Sequence, residues 1–381
     1  MQLDKYVMVE IGENIAGPQT GQIMADLGMT VIKVENPAGG DSVRRQELPR
    51  LHGSAAMFHA QNRNKRSLVL DLKDPDHVAR LKRFVARRAD VVMQNLRPGS
   101  IEKLGLAADD LMAGDPRLIY CNIGAYSKAG PNRHKGGYDV LLQGFSGLMS
   151  LVGEPDRPPV RIGVSSIDTS TGMWAAIGIL GALLEREHTG RGRLVDTSLY
   201  EAAMQFVANP VAQYRASGVR PWRSGGQLPG VVPLQPFDAS DGQVIIAAAN
   251  DRVFGRVAKG LGHPEWAEDP RFATGPARFE NRETLIGMMQ DILGAKPRAH
   301  WIEVLDAVDV PVGPVNDIAE SVADPEAEAA GIIGKVPGRE DIEVVLSPLS
   351  FDGTRPGIRR HPPDLGEYND AFFAATDEAA P

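Results

Sequence analysis

Asp168 is the residue whose setting most invites chemistry. It opens a long apolar segment that runs to His188 and follows the run Val160–Ile167. The pattern predicts an extended stretch feeding a helix, with a carboxylate at the junction. An Asp at the start of a helix accepts backbone N–H bonds, and the positive end of the helix dipole favours its ionised form. With an ordinary pKa of about 3.9 such a group is charged at neutral pH. An ionised, held carboxylate can act as a nucleophile. The plain alternative is an N-cap with no chemical role, and the two roles are compatible.

Two further segments carry polar groups near the ends of β-like runs: the basic stretch Arg63-Asn-Lys-Arg66 and the loop Asn95-Leu-Arg-Pro-Gly99. Ligands of open α/β sheets bind at strand carboxyl ends, so both are candidate ligand loops. The common alternatives find no support. The chain has no Gly-x-x-x-x-Gly-Lys-Ser/Thr phosphate loop, no Gly-x-Gly-x-x-Gly after its first strand and no Gly-x-Ser-x-Gly elbow. Its eight histidines are scattered, without a His-Glu-x-x-His helix, so no metal site is expected. The single cysteine, Cys121, lies in an apolar run and reads as a core residue.

The elements that must position these groups follow from periodicity. β-rich runs at Tyr6–Glu10, Thr30–Glu35, Ser67–Leu72, Asp90–Gln94 and Leu118–Ile123 alternate with helical patterns. That alternation predicts an α/β fold with a parallel sheet. Between the first two runs, Pro18 suits a first helical turn and Gly28 a helix stop, a nucleotide-fold opening. Further helices are expected at 75–88, 137–150, 168–188 and 198–214. Gly and Pro crowd residues 215–232, which read as a linker and loop. A hairpin turning at Asp241-Gly242 and helices from 251, 282 and 298 then predict a smaller α+β domain over 233–330. The large domain takes 1–214, and 331–381, with a β-like run Ile342–Leu346, returns to it.

With 381 residues, 43% hydrophobic and 24% charged, the chain can bury a substantial core. Its net charge of -8 argues against nucleic acid or anionic membrane as a partner, so an anionic ligand must be met locally. No basic leader precedes an apolar stretch, and the most apolar segment, about 173–184, reads as too short and Gly/Ala-rich to span a bilayer. A cytoplasmic location is expected.

Many short fragments carry a family resemblance. They include Ala16-Gly-Pro18, Ala25-Asp-Leu-Gly28, Gly39-Gly-Asp41, Asn62-Arg-Asn-Lys-Arg-Ser67, Leu70-Asp-Leu-Lys73, Asn95-Leu-Arg-Pro-Gly99, Gly136-Gly-Tyr-Asp139, Asp168, Gly190-Arg-Gly192, Asp269-Pro-Arg-Phe272 and Val310-Pro-Val-Gly-Pro314. In this order, over nearly the whole chain, they resemble the class III coenzyme A transferases, which include formyl-CoA transferase and carnitine CoA-transferase, with α-methylacyl-CoA racemases as relatives. The resemblance implies a Rossmann-like large domain built from both chain ends, a smaller domain between them, and a homodimer that can be interlocked. It implies Asp168 as catalytic nucleophile, a CoA thioester as substrate rather than a tightly bound cofactor, and a carboxylic acid as acceptor. Carried over residue by residue, the implied CoA contacts are Ile15 and Ala16; Leu70, Asp71, Leu72 and Lys73; Asn95, Leu96 and Arg97; Lys103, where the family has arginine; and Lys135, Gly136, Gly137, Tyr138 and Asp139. Gly225, Gly226 and Gln227 stand for the family's longer glycine loop, implied to close over an acyl-enzyme.

Racemase relatives carry a His-Asp pair where this chain has Tyr138-Asp139, and a tyrosine with a pKa near 10 is a poor base for an α-proton. CoA transfer therefore leads. Racemisation, hydrolysis with water in place of the acceptor, and acyl-CoA binding without turnover stay open.

Overall fold

Six strands build the sheet, and five of them owe their place to runs of buried residues, the edge strand after them being largely exposed. The computed structural model describes residues 3–46 and 49–377. In chain order come β1 Val7–Ile11, α1 Ala16–Asp26, β2 Thr30–Glu35, β3 Lys65–Val69, α2 Pro75–Arg88, β4 Val91–Gln94, β5 Ile119–Gly124, α3 Asp139–Phe145, α4 Ser166–Thr189, β6 Leu194–Ser198, α5 Leu199–Phe206 and α6 Ala208–Ser217. The sheet order is β3-β2-β1-β4-β5-β6, with every neighbouring pair parallel. The order reverses between β1 and β4, and such a switch point leaves a crevice at the strand carboxyl ends.

Strand alternation sends Val9, Ile11, Ile32, Val34 and Leu68 to one face, where they pack with Leu81, Phe84 and Val85 of α2 and with Phe372 of the C-terminal helix Asn369–Asp377. The opposite face carries α1 and α4. These two helices approach so closely that a Cβ on Gly172 would lie 2.9 Å from the Ala16 carbonyl oxygen and 2.8 Å from the Gln19 Cβ. Across the carboxyl ends of β4, β5 and β6 a polar ladder joins neighbours in register: Gln94 Nε2 donates to Asn122 Oδ1 (2.7 Å), and Asn122 Nδ2 to Asp196 Oδ1 (2.8 Å). Cross-strand polar pairs of this kind fix register where no apolar contact can.

On the α1 face the sheet also buries charge. Lys33 Nζ lies 2.9 Å from Glu10 Oε1 and 2.9 Å from Asp41 Oδ2, and Lys65 Nζ lies 2.9 Å from Glu10 Oε2, all with fully buried side chains. Arg44 forks onto Glu35 (2.8 and 2.7 Å), which also accepts from Ser67. Burial alone would raise the Glu35 carboxyl, but Arg44, Lys33 and Ser67 outweigh it and hold it at about 2. Cys121 is free and buried, and burial pushes its thiol up to about 12.

The chain divides into two units. The first takes in Met1–Met149, Arg161–Val219 and Glu326–Pro381; the second takes in Ser150–Val160 and Arg220–Pro325. The C-terminal residues from Glu326 fall in the first unit, and the excursion 150–160 falls in the second. Residues expected to link the domains split: α6 runs to Ser217, and the stretch from Arg220 belongs to the second unit. There it bonds the excursion 150–160, with Gly225 N–H donating to the Gly153 carbonyl (3.1 Å) and Arg223 to that of Glu154 (3.2 Å). The second unit has the expected hairpin, Leu234–Ala239 with Gly242–Ala247, extended by Val312–Pro314, and helices at Asp251–Gly260, Arg282–Leu293 and Arg298–Asp306. The expected C-terminal run pairs as Ile333–Val336 with Arg339–Val345.

Several local expectations change. Val160–Ile167 forms no strand, because Pro158, Pro159 and Gly163 break it and no strand lies alongside. The third sheet strand starts two residues early, at Lys65, and ends at Val69, before Leu70. Helix 137–150 is shorter, α3 followed by a 3-10 turn at Leu148–Leu151, and 198–214 breaks at Val207 into α5 and α6. The strand β6, with its polar Asp196, Thr197 and Ser198, was not expected. Finally, α4 has 24 residues and a most apolar window of mean hydropathy 1.4, enough by length and composition to cross a membrane, with 44% of that window buried. The shorter span read from the sequence missed its full length.

Candidate active site

The switch-point crevice is a cleft of about 950 Å³ in the first unit. Its walls are the loops after β1 (Glu13–Ala16), β4 (Asn95–Pro98 and Ser100) and β5 (Ile123–Ala125), the segment His134–Tyr138, and Asp168. Of the residues named from sequence, Ile15, Ala16, Asn95, Leu96, Arg97, Lys135, Gly136, Gly137, Tyr138 and Asp168 line this one cleft. Leu70, Asp71, Leu72 and Lys73 line a second cleft of about 220 Å³, which shares Glu13 and Leu96 with the first. Lys103 is exposed on a short helical turn and lines neither, and Asp139 is buried beneath the wall. Gly225, Gly226 and Gln227 lie in the second unit, where the Ser224 hydroxyl donates to the Gln227 carbonyl (2.7 Å) and Arg282 donates to the Gln227 side chain.

Asp168 is not the N-cap. Ser165 precedes α4 without a side-chain cap, and Asp168 is its third residue. The capping carboxylate comes from Asp139: its Oδ2 accepts from the backbone N–H of Ile167 (2.7 Å) and of Asp168 (3.1 Å). Gln143, one helical turn on in α3 and fully buried, donates to Asp139 Oδ1 and accepts the Ile162 N–H (2.8 Å). Thus α3 clamps both the start of α4 and the segment leading into it. An Asp and a Gln four residues apart on a helix face each other, a spacing present in the sequence but not singled out.

This arrangement overturns the expected charge state. Burial and then the Asp139 carboxylate raise Asp168 from its ordinary value to about 7. The helix end that was expected to favour an ionised Asp168 is already satisfied by a second carboxylate, so like charge opposes ionisation. Asp168 therefore stands between its two forms near neutral pH.

Elsewhere the cleft carries groups that favour an anion. α1 starts without a side-chain cap beside Ile15 and Ala16, so its first amides and the positive dipole end favour negative charge there. Arg97, His134 and Lys135 add basic side chains to the wall; His134 was not singled out from sequence. The Asn95 amide is committed to structure: Oδ1 accepts from Glu13 N–H (3.0 Å) and Nδ2 donates to the Glu13 carbonyl (2.9 Å). A Cβ on Gly12 would lie 2.5 Å from that Oδ1, which explains glycine there. Asn95 thus shapes the loop, and Leu96 and Arg97 line the cleft beside it. Among the described residues no group of three His, Cys, Asp or Glu could hold a metal ion.

Comparison with known proteins gives one answer. Residues 3–369 match the family described as CoA-transferase family III. The chain is 36% identical to the succinate–glutarate CoA-transferase of Agrobacterium fabrum, covering 96% of this chain and 94% of that one. It is 35% identical to the acetyl-CoA:oxalate CoA-transferase of Acetobacter aceti, covering 98% and 96%. Among solved structures, a CAIB/BAIF family protein from Brucella suis superposes with a TM-score of 0.89 at 38% identity, covering 98% of this chain and 99% of that one. A nucleotide-type sheet with an anion-receiving cleft at its switch point, and likeness of this extent along the whole chain, lead to one conclusion: the chain belongs to CoA-transferase family III, enzymes that move coenzyme A from an acyl-CoA to a carboxylic acid.

Proposed function

We propose that Asp168 carries this transfer covalently. A carboxylate oxygen of Asp168 attacks the donor thioester carbonyl, the C–S bond breaks and CoA thiolate leaves, giving a mixed anhydride. The thiolate attacks the aspartyl carbonyl and releases the donor acid, leaving an aspartyl-CoA thioester. The acceptor carboxylate attacks that thioester, again expelling thiolate and forming a second anhydride. The thiolate then attacks the acceptor's acyl carbonyl, yielding the new acyl-CoA and free Asp168 carboxylate. Thioester energy passes along the sequence, so no ATP is consumed.

The observation that carries this reading is Asp168 on the wall of an anion-receiving cleft, at a held helix start and partly exposed. The α1 end, Arg97 and Lys135 would receive CoA phosphates, and the second cleft, with Leu70 to Lys73, the nucleotide end. Names of relatives, such as succinate–glutarate and acetyl-CoA:oxalate CoA-transferase, support short dicarboxylates as the first acids to test. Racemisation is disfavoured: Tyr138 is 66% exposed and Asp139 spends its carboxylate on α4 amides.

Met173, Trp174, Ile177 and Leu184 of α4 are large, apolar and exposed. Exposed apolar clusters of this kind mark interaction surfaces, and we infer a second copy of the chain. A monomeric mass by light scattering would sink that inference. The mechanism is tested by peptide mass spectrometry after incubation with succinyl-, acetyl- and oxalyl-CoA and hydroxylamine. A CoA adduct or hydroxamate on Asp168 is expected. Turnover without any adduct, together with unchanged turnover of Asp168→Ala, would refute it.

A further inference from the structure

A third cavity, of about 210 Å³, opens at the other end of the same sheet, where β2 and β3 begin. Its wall is Gly28–Val31 together with Asn64, Arg66, Arg359 and Arg360. Three arginines therefore line one small space in a chain whose net charge is -8. No carboxylate lines it among the described residues.

The partners of these groups are few. Asn64 is locked: its Oδ1 accepts the backbone N–H of Arg359 (2.7 Å) and of Arg360 (3.0 Å), and its Nδ2 donates to Asp26 (2.8 Å). That lock brings the segment 359–360 over the start of β3. Arg359 donates to the carbonyls of Ala25 and Asp26 at the end of α1. Arg360 has Glu367 at 3.6 Å, a long pair with Arg360 45% exposed. Arg66 stacks over the Tyr368 ring at 5.0 Å and has no hydrogen-bond or carboxylate partner among the described residues. A partly buried guanidinium without an anion is costly, and its five donors stay available.

We infer that this cavity is a binding site for a phosphate group, distinct from the transfer cleft. Arginines drawn from two segments, β3 and residues 359–360, around one cavity suit a tetrahedral oxyanion, which accepts on several faces. A planar carboxylate is matched by one fork alone. The site lies at the amino ends of the strands, away from the carboxyl-end crevice, so its occupant is not the transferred acyl group. The phosphate comes either as the free ion or as the end of a phosphorylated metabolite.

The test is titration calorimetry at constant ionic strength with inorganic phosphate, glycerol 3-phosphate and acetate. Phosphate binding is expected in the wild type and in Arg97→Gln, which removes a charge from the transfer cleft. It should weaken about tenfold in Arg66→Gln and in Arg360→Gln, the loss of one charged hydrogen-bonding group. Arg66 packs on Tyr368, so should Arg66→Gln fail to fold, the exposed Arg360→Gln gives the same reading. Tighter binding of glycerol 3-phosphate identifies a phosphorylated metabolite as the source, and binding of inorganic phosphate alone identifies the free ion. Binding unchanged in Arg360→Gln, binding abolished by Arg97→Gln, or equal binding of acetate would each overturn the inference.

Discussion

Two groups of acidic residues lie on the α1 side of the sheet, and they were given opposite surroundings. Glu10, Glu35 and Asp41 are buried among Lys33, Lys65 and Arg44, so each carboxylate meets a cation at 2.7 to 2.9 Å. Asp139 accepts the Asp168 N–H at the start of α4, and among the described residues neither carboxylate makes an ion pair. Glu35 is consequently held at about 2 and Asp168 rises to about 7. Burial acts on both; the sign of the neighbour decides the outcome. The first cluster is scaffold, holding the corner between β1, β2 and the loop at Asp41. The second keeps a carboxylate ready to change its charge.

The comparison can be broken in several ways. Replacing Asp168 by Ala should cut CoA transfer by at least about a thousandfold, as loss of a covalent nucleophile does, with the folded state intact by circular dichroism. A smaller loss would move the chemistry to another group. In the scaffold cluster, Lys33→Met leaves Glu10 and Asp41 short of a buried cation and should cost about 3–5 kcal/mol, read from the urea midpoint. A variant as stable as wild type would mean the cluster is not a charge network.

Titration sharpens the other half. In the proposed mechanism the ionised form of Asp168 attacks, so the rate with saturating acceptor should climb about tenfold per pH unit below 7 and level above it. Asp139→Asn keeps an acceptor for the α4 amides and removes the like charge, so the midpoint should fall while the step remains. An unmoved midpoint would leave burial as the whole cause. Smallest is the effect on stability. The folded chain keeps the Asp168 proton up to about 7, whereas an unfolded chain releases it near 3.8. The protonated form therefore stabilises the fold, fully below about 3.8, and that contribution is lost as pH rises through 7. Asp168→Asn escapes the loss and should melt a few degrees above wild type at about pH 8, with no advantage at about pH 3.5. Equal melting at both would show the carboxyl to be more solvated than its surroundings indicate.

Much of this was legible beforehand because it rests on local rules. β1, β2, β4 and β5 are apolar runs bounded by turn residues, and each was placed to within a residue or two. Asp168 stood out because an acidic residue opening a long apolar helix is a sequence-local event. β6 was missed because its run is polar: Asp196 serves a ladder with Asn122, a partner 74 residues away, and Ser198 caps the helix that follows. The false strand at 160–167 failed for the converse reason: a β-like composition has no neighbour to pair with.

The sequence by itself determined the alternation that makes a parallel sheet, the residues that cover its faces, and which loops fall at the carboxyl ends, since periodicity and turn chemistry act over a few residues. Only the tertiary structure decided that Asp139 caps the helix bearing Asp168, that Gln143 holds Asp139, and that Asn95 spends its amide on the Glu13 backbone. The ionisation of a carboxylate depends on how much water reaches it and which charges stand within a few ångströms. Those neighbours are 29 residues away along the chain for Asp168 and Asp139, and folding alone makes them adjacent.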